Sequence, residues 1–533
     1  NSLANLSTSS ALGAPTTATN GTIAIGTTTT GATLQYTGSA NDTTNRVINL
    51  AGTTGGATLD SSGTGTITFT SAFAATGAGS KTLTLTGSNT GANTISGAIV
   101  NGSGTTAVTK TGAGEWVLSG NNTYTGATTV SNGTLVATTS ANALGAGTLA
   151  LSGGALTLQN DTALNFARNT TVSTDTTITS DRLTAGAGVT QTLGTLSIGA
   201  QTLTVDAGVN VTSGTAGLTF GATTLTGNAT FATGTGTQLT LASVGGAGNS
   251  FDNSGAGSTT ITGIVGTTTG SVTQSGTGTL TLGGANTFTG GLNLNAGTVK
   301  ISTDNNLGGA TNNLAFNGGT LEVTGPGSFT AGASRTLTIN SGGGALKVDS
   351  GITLTLGSAN QLTGTGALTL NGAGTVALTA SQNFSGGEID LAAGSTLSIS
   401  GSTLTVGTLH ITGNSTIDFG TASTIDITNL IIDPGVTQLT INGWVNVTDF
   451  ISATNFSGAT PDIRGTTPEN QIAFTGFSNN STIWISSDNQ ITPVPEPATY
   501  GAILTAAALA LFIWQRRQAN APRPVPVRVE ARF

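Results

Sequence analysis

Few side chains here could move a proton, act as a nucleophile's base or hold a cation, and they gather late in the chain. His410 is the only histidine. It lies in the run Thr405-Val406-Gly407-Thr408-Leu409-His410-Ile411-Thr412, whose alternation of apolar and polar residues predicts a strand. A serine–histidine–aspartate relay needs a marked nucleophile beside its base. Nothing in this run marks one, so a structural or surface histidine is expected. Asp418, Asp426 and Asp433, with Glu388 and Asp390 upstream, form the nearest thing to a carboxylate group. Grouped carboxylates can serve acid–base cleavage of glycans or bind calcium. However, residues 349–463 contain no Lys or Arg, so a lyase-type base is missing there. The segment from Gly245 to Asp252 faintly echoes a calcium-binding nonapeptide, but its acid stands at the eighth position rather than the sixth and it occurs once. The several Gly-x-Gly strings lack the lysine and the strand-to-helix setting of a phosphate loop, and read as turns. No catalytic residue, metal ligand or cofactor is expected.

Such sparse chemistry fits the composition. Of 533 residues, 81 are Gly, 11 are Pro, none is Cys or Met, and only 7% are charged. Without Cys there are no disulfides and no thiol chemistry. Thr, Ser, Asn and Gly favour strands and tight turns, and the 36% of hydrophobic residues fall in short alternating runs that can bury a core. Residues 1–497 carry 9 Lys and Arg against 21 Asp and Glu, while residues 515–533 carry 5 Arg against Glu530; −12 and +4 sum to the net −8. An acidic body poor in Lys has no footprint for a phosphate backbone, which argues against nucleic-acid binding. The chain starts at Asn1 without a basic and apolar leader, so a removed export signal or a fragment boundary is expected.

The elements that must position these residues repeat. Residues 109–135 (TKTGAGEWVLSGNNTYTGATTVSNGTL) recur at 273–299 (TQSGTGTLTLGGANTFTGGLNLNAGTV) and more weakly at 370–397. In each copy a Gly-x-Gly (Gly112/Gly114, Gly276/Gly278, Gly372/Gly374) precedes an aromatic, Tyr124, Phe288 or Phe384, by ten residues from its second Gly. A Gly follows two residues later at Gly126, Gly290 and Gly386. Repeats of this size predict a solenoid. A strand this short cannot bury its face alone, but parallel coils stacked about 4.8 Å apart turn the inward side chains into continuous columns. At roughly 20 to 25 residues per coil, on the order of 20 coils would make a rod about 100 Å long. The spacings of eight and seven between Asp418, Asp426 and Asp433 match no such coil. The unit resembles the autotransporter-associated β-strand repeat of secreted passengers, which implies a right-handed parallel β-helix.

From 433 to 492 the pattern changes. Trp444, Phe450, Phe456, Phe474, Phe477 and Trp484 concentrate there, with Pro434, Pro461 and Pro468. A solenoid's open end invites self-association, so a cap is expected in preference to an aromatic platform for carbohydrate. Then come Val494, Pro495, Glu496 and Pro497, the uncharged stretch 498–514 and the basic pair Arg516 and Arg517. Seventeen residues is the short end of a membrane span, Tyr500 and Trp514 suit its interfaces, and the arginines would keep the C-terminus cytoplasmic. This ending resembles the PEP-CTERM sorting signal of Gram-negative bacteria. The resemblance implies that Pro495, Glu496 and Pro497 are recognised by an exosortase, a membrane-embedded cysteine transpeptidase or protease. In that family the basic cluster usually closes the chain, whereas here a basic, Pro-rich tail, 518–533, follows.

The sequence therefore predicts an all-β chain: a parallel solenoid over 1–432, a cap over 433–492, a sorting signal over 493–517 with a transmembrane helix at 498–514, and the tail. The expected function is an exported, non-enzymatic structural or adhesive rod, anchored in the inner membrane as a precursor and then sorted to the cell surface or extracellular polysaccharide. A polysaccharide lyase or hydrolase, a true autotransporter passenger and an uncleaved membrane-anchored surface protein are the rivals.

Overall fold

The computed structural model describes residues 2–463, 466–477 and 482–494. Pro495, Glu496, Pro497, the span expected at 498–514, Arg516, Arg517 and the tail lie outside the described residues. Among the described residues the helices are single turns, Ala18–Gly21, Asp304–Leu307 and Thr467–Asn470, and no helix is long and apolar enough to cross a membrane.

The chain is a parallel β-solenoid of about 20 turns. One sheet runs its length, from Ala32–Tyr36 to Phe450–Phe456. A second begins at Asp42–Thr44 and ends at Leu362–Gly364. A third takes over from Phe329–Thr330 and ends at Ile472–Phe474. The antiparallel hairpin of Thr482–Trp484 with Ile491–Pro493 follows.

Alternation explains the core. Lys81–Thr86, Ala57–Ser61 and Thr403–Ile411 send every second side chain inward, so Leu83, Leu85, Leu404, Val406, Leu409 and Ile411 are buried while the threonines between them face outward. A buried Leu or Phe contributes about 1.5–3 kcal/mol, against about 1–2 kcal/mol to order each residue's backbone. A lone three-residue strand therefore cannot hold itself, and each coil depends on the coil before and after it. Rings join the columns: Phe231 stacks on Phe251 with centroids 4.8 Å apart.

Coil length varies. Leu280 lies opposite Val299, a step of 19 residues, and Leu196 opposite Thr223, a step of 27. Near the C-terminal end Trp444 packs edge-on against Phe419 and Phe474, at 5.4 and 5.0 Å, and Phe456 against Trp484 at 6.1 Å. These rings are buried, so they cannot offer a face to a sugar.

Candidate functional site

The repeats owe their geometry to side chains that bond between coils. Tyr124, Phe288 and Phe384 are buried at corresponding places. Two residues before each stands an amide that binds a neighbouring coil. Asn122 accepts from the Ile99 amide (2.8 Å) and donates to the Ala143 carbonyl (2.6 Å). Asn286 repeats this with the Val265 amide and the Asn306 carbonyl. Gln382 accepts from the Leu362 amide and donates to the carbonyls of Ser358 and Ala380. A second shared donor fills the corner made by the Gly-x-Gly. The buried Lys110 ammonium donates to the carbonyls of Thr111, Gly112 and Asn132, and Gln274 donates to those of Gly276 and Gly278. Burial pushes the Lys110 amine down to about 8, with Glu115 pulling the other way.

Two segments match a known family. Residues 108–137 and 272–301 match the passenger-associated-transport-repeat. Each match covers one coil-forming unit with its aromatic and bridging amide. The chain is also 33% identical over 116 residues to the adhesin BmaC autotransporter of Brucella suis biovar 1 (strain 1330). That stretch is 22% of this chain and 3% of that much longer protein, so the likeness concerns a run of repeats. The passenger-associated-transport-repeat thus accounts for two of the three copies seen in the sequence; the third, around Phe384, leads into a different feature.

Strand Gln382–Leu391 carries a bulge. Phe384 pairs with Val406 and Glu388 with Thr408, so Ser385, Gly386 and Gly387 oppose a single residue. The side chain that Gly387 lacks would collide with the Phe384 ring, so glycine is required there. Beyond the bulge Ile389 and Leu391 point inward and Glu388 and Asp390 outward. One coil later His410 lies opposite Asp390, and another coil later Ile431 lies opposite His410.

These registers put the one histidine among carboxylates. His410 Nε2 is 2.9 Å from Asp433 Oδ1, while Nδ1 faces Glu388 Oε1 at 3.4 Å and Asp390 Oδ1 at 3.5 Å. Asp433 is placed by the turn Asp433-Pro434-Gly435-Val436, closed by the Val436 amide on the Asp433 carbonyl. Asp390 is fixed by the Thr369 hydroxyl on Oδ2 (3.2 Å), and its Oδ1 is buried without a hydrogen-bond donor. Partial burial holds the Glu388 carboxyl above its usual range, and the neighbouring Asp390 lifts it further. Burial pulls the imidazole down, but the Asp433 hydrogen bond and the charges of Asp433, Asp390 and Glu388 outweigh it, so His410 holds its proton above the ordinary range. Beside this group a cavity of about 300 Å³ opens between Ser385, Gly386, Glu388, Thr408 and Asn429.

Asp418 and Asp426 stand apart from one another. Asp418 is in the third sheet between Ser398 and Asn442, and Asp426 is in the first between Thr405 and Ser452, whose hydroxyl it accepts. Asp252, the acid of the glycine-rich segment, accepts from the Ser275 hydroxyl. The sequence contained the signal for the histidine cluster in the coil-length interval between Asp390 and His410, but intervals within a strand concealed it.

Proposed function

We propose that this chain is an exported, non-enzymatic β-solenoid that works at the cell surface or in the extracellular polysaccharide as a stiff structural or adhesive rod. The observation that carries this reading is the match to the passenger-associated-transport-repeat, supported by the likeness to a surface adhesin. Outward threonines, serines and asparagines repeated along a sheet suit many weak contacts, whose avidity grows with their number. On this reading the solenoid is right-handed and the aromatic segment 433–492 caps its end. Pro495, Glu496 and Pro497 direct an exosortase to a precursor held by the helix 498–514 and oriented by Arg516 and Arg517. Mass spectrometry of the surface form tests the sorting step. Loss of peptides beyond the Pro-Glu-Pro site is expected, and peptides from Leu504 to Arg517 on the surface would leave an uncleaved anchored protein. Adhesion of cells with and without the gene to polysaccharide-coated surfaces tests the rod's role, with weaker attachment expected on deletion. The carboxylate–histidine group beside an open cavity favours one second reading, a glycan-cleaving enzyme. Glycan turnover that disappears in Glu388→Gln would replace the adhesive role with that one.

A further inference from the structure

Three carboxylates converge on one imidazole, and they do so asymmetrically. On the Nε2 side the contact with Asp433 is an ordinary hydrogen bond of 2.9 Å. On the Nδ1 side Glu388 Oε1 and Asp390 Oδ1 stand off at 3.4 and 3.5 Å, beyond a good hydrogen bond. A cation bound tetrahedrally with bonds of about 2.0–2.1 Å holds its ligand atoms about 3.3–3.4 Å apart, close to both separations. The three candidate ligand atoms of Glu388, Asp390 and His410 all lie within 4.8 Å of one another.

Two further observations point the same way. Asp390 has one oxygen tied down by Thr369, while the other is buried, has no donor and faces Nδ1. A buried carboxylate oxygen without a partner costs free energy unless something positive meets it. Asp433 on the far nitrogen is the outer carboxylate that commonly fixes the ring orientation of a metal-bound histidine and raises its basicity.

We propose that Glu388, Asp390 and His410 Nδ1 form a binding site for a divalent transition-metal ion of the zinc class, with Asp433 as the positioning residue on Nε2. One nitrogen and two carboxylate oxygens suit zinc, whereas calcium takes six to eight oxygens at longer range. The ligands come from two successive coils, so the ion clips one coil to the next. The bulge at Ser385–Gly387 aims Glu388 at the site and leaves the cavity beside it for a fourth ligand, a water or a sugar hydroxyl. This site is independent of the adhesive reading and survives or fails separately from it.

The test is titration of the metal-free, full-length chain with Zn²⁺ by calorimetry, paired with thermal melting and zinc-edge X-ray absorption. The expected result is one Zn²⁺ per chain, a melting temperature that rises with Zn²⁺, and a shell containing one imidazole nitrogen and carboxylate oxygens. His410→Gln or Asp390→Asn should weaken binding by about 100-fold or more, and Asp433→Asn by about 10–100-fold with the stoichiometry kept. Calcium in excess should not compete. Should His410→Gln fail to fold, Glu388→Gln, on an outward position, makes the same measurement. No stoichiometric Zn²⁺, or binding unchanged in these variants, overturns the proposal and leaves the group as carboxylates paired with a protonated imidazole.

Discussion

At Lys110 a charge has been taken out of water without an opposing carboxylate in contact, and three backbone carbonyls replace its hydration. Gln274 occupies the same place in the second transport repeat with a neutral amide, so the requirement is for a donor rather than a charge. Lys110→Leu should therefore destabilise by about 1–3 kcal/mol, the cost of stranded acceptors, while Lys110→Gln costs less. The amine's value of about 8 in the fold lies below the lysine reference of 10.5. Between those values the unfolded chain binds the proton that the folded chain has released. Stability gained from this group thus rises with pH across the window and is flat below it. Denaturant melts of wild type against Lys110→Gln at pH 7 to 10 should diverge in favour of wild type as pH rises. The bridging amides give a second expectation at this scale. Asn122→Ala strands the Ile99 amide and the Ala143 carbonyl, and should cost about 1–3 kcal/mol by chemical denaturation.

Each element is one strand or corner of a coil, and its tolerance is set by how closely the next coil approaches. At Gly387 an added Cβ would enter the Phe384 ring, whereas at Gly386 the nearest atoms, on Thr365 and Gly364, are 3.4 and 3.7 Å away. Gly387→Ala should cost about 1–3 kcal/mol, as overpacking does, while Gly386→Ala stays within about 0.5 kcal/mol. Thermal melts of the two neighbours check this directly. A reversed order would mean that the bulge is not the rigid support for Glu388 that its register implies. The same bulge shows how a repeat is adapted: the third copy keeps the buried aromatic and the bridging amide, then inserts residues that turn Glu388 and Asp390 toward the next coil.

Over the whole molecule, stability is a chain of nearest-neighbour contacts, and an end coil has half the partners of an inner one. The edge-on rings Phe419, Trp444 and Phe474 and the hairpin Thr482–Trp484/Ile491–Pro493 cluster at one such end. Trp484 ties the hairpin back by donating from its indole to the Ala453 carbonyl. Ending the chain at residue 432 should leave paired strands with open edges. Light scattering should then show higher-order association where the longer chain shows none.

Much of this was legible in one dimension because strand alternation and corner glycines are local. Lys81–Thr86 declares its inward face within six residues, and a buried aromatic ten residues after a Gly-x-Gly marks a coil wherever it occurs. Composition likewise pointed to stacked coils rather than separate lobes, since no short strand here could hold a core alone. The ending from Pro495 to Arg517 is an argument of sequence only. What tertiary structure alone decided is which residues share a position along the stack. Coil length runs from 19 to 27 residues because turns differ in size, so stacking partners cannot be counted off at a fixed interval. His410 therefore looked solitary beside Asp418 and Asp426. The register placed it instead against Asp390, 20 residues back, and within reach of Asp433, 23 residues on.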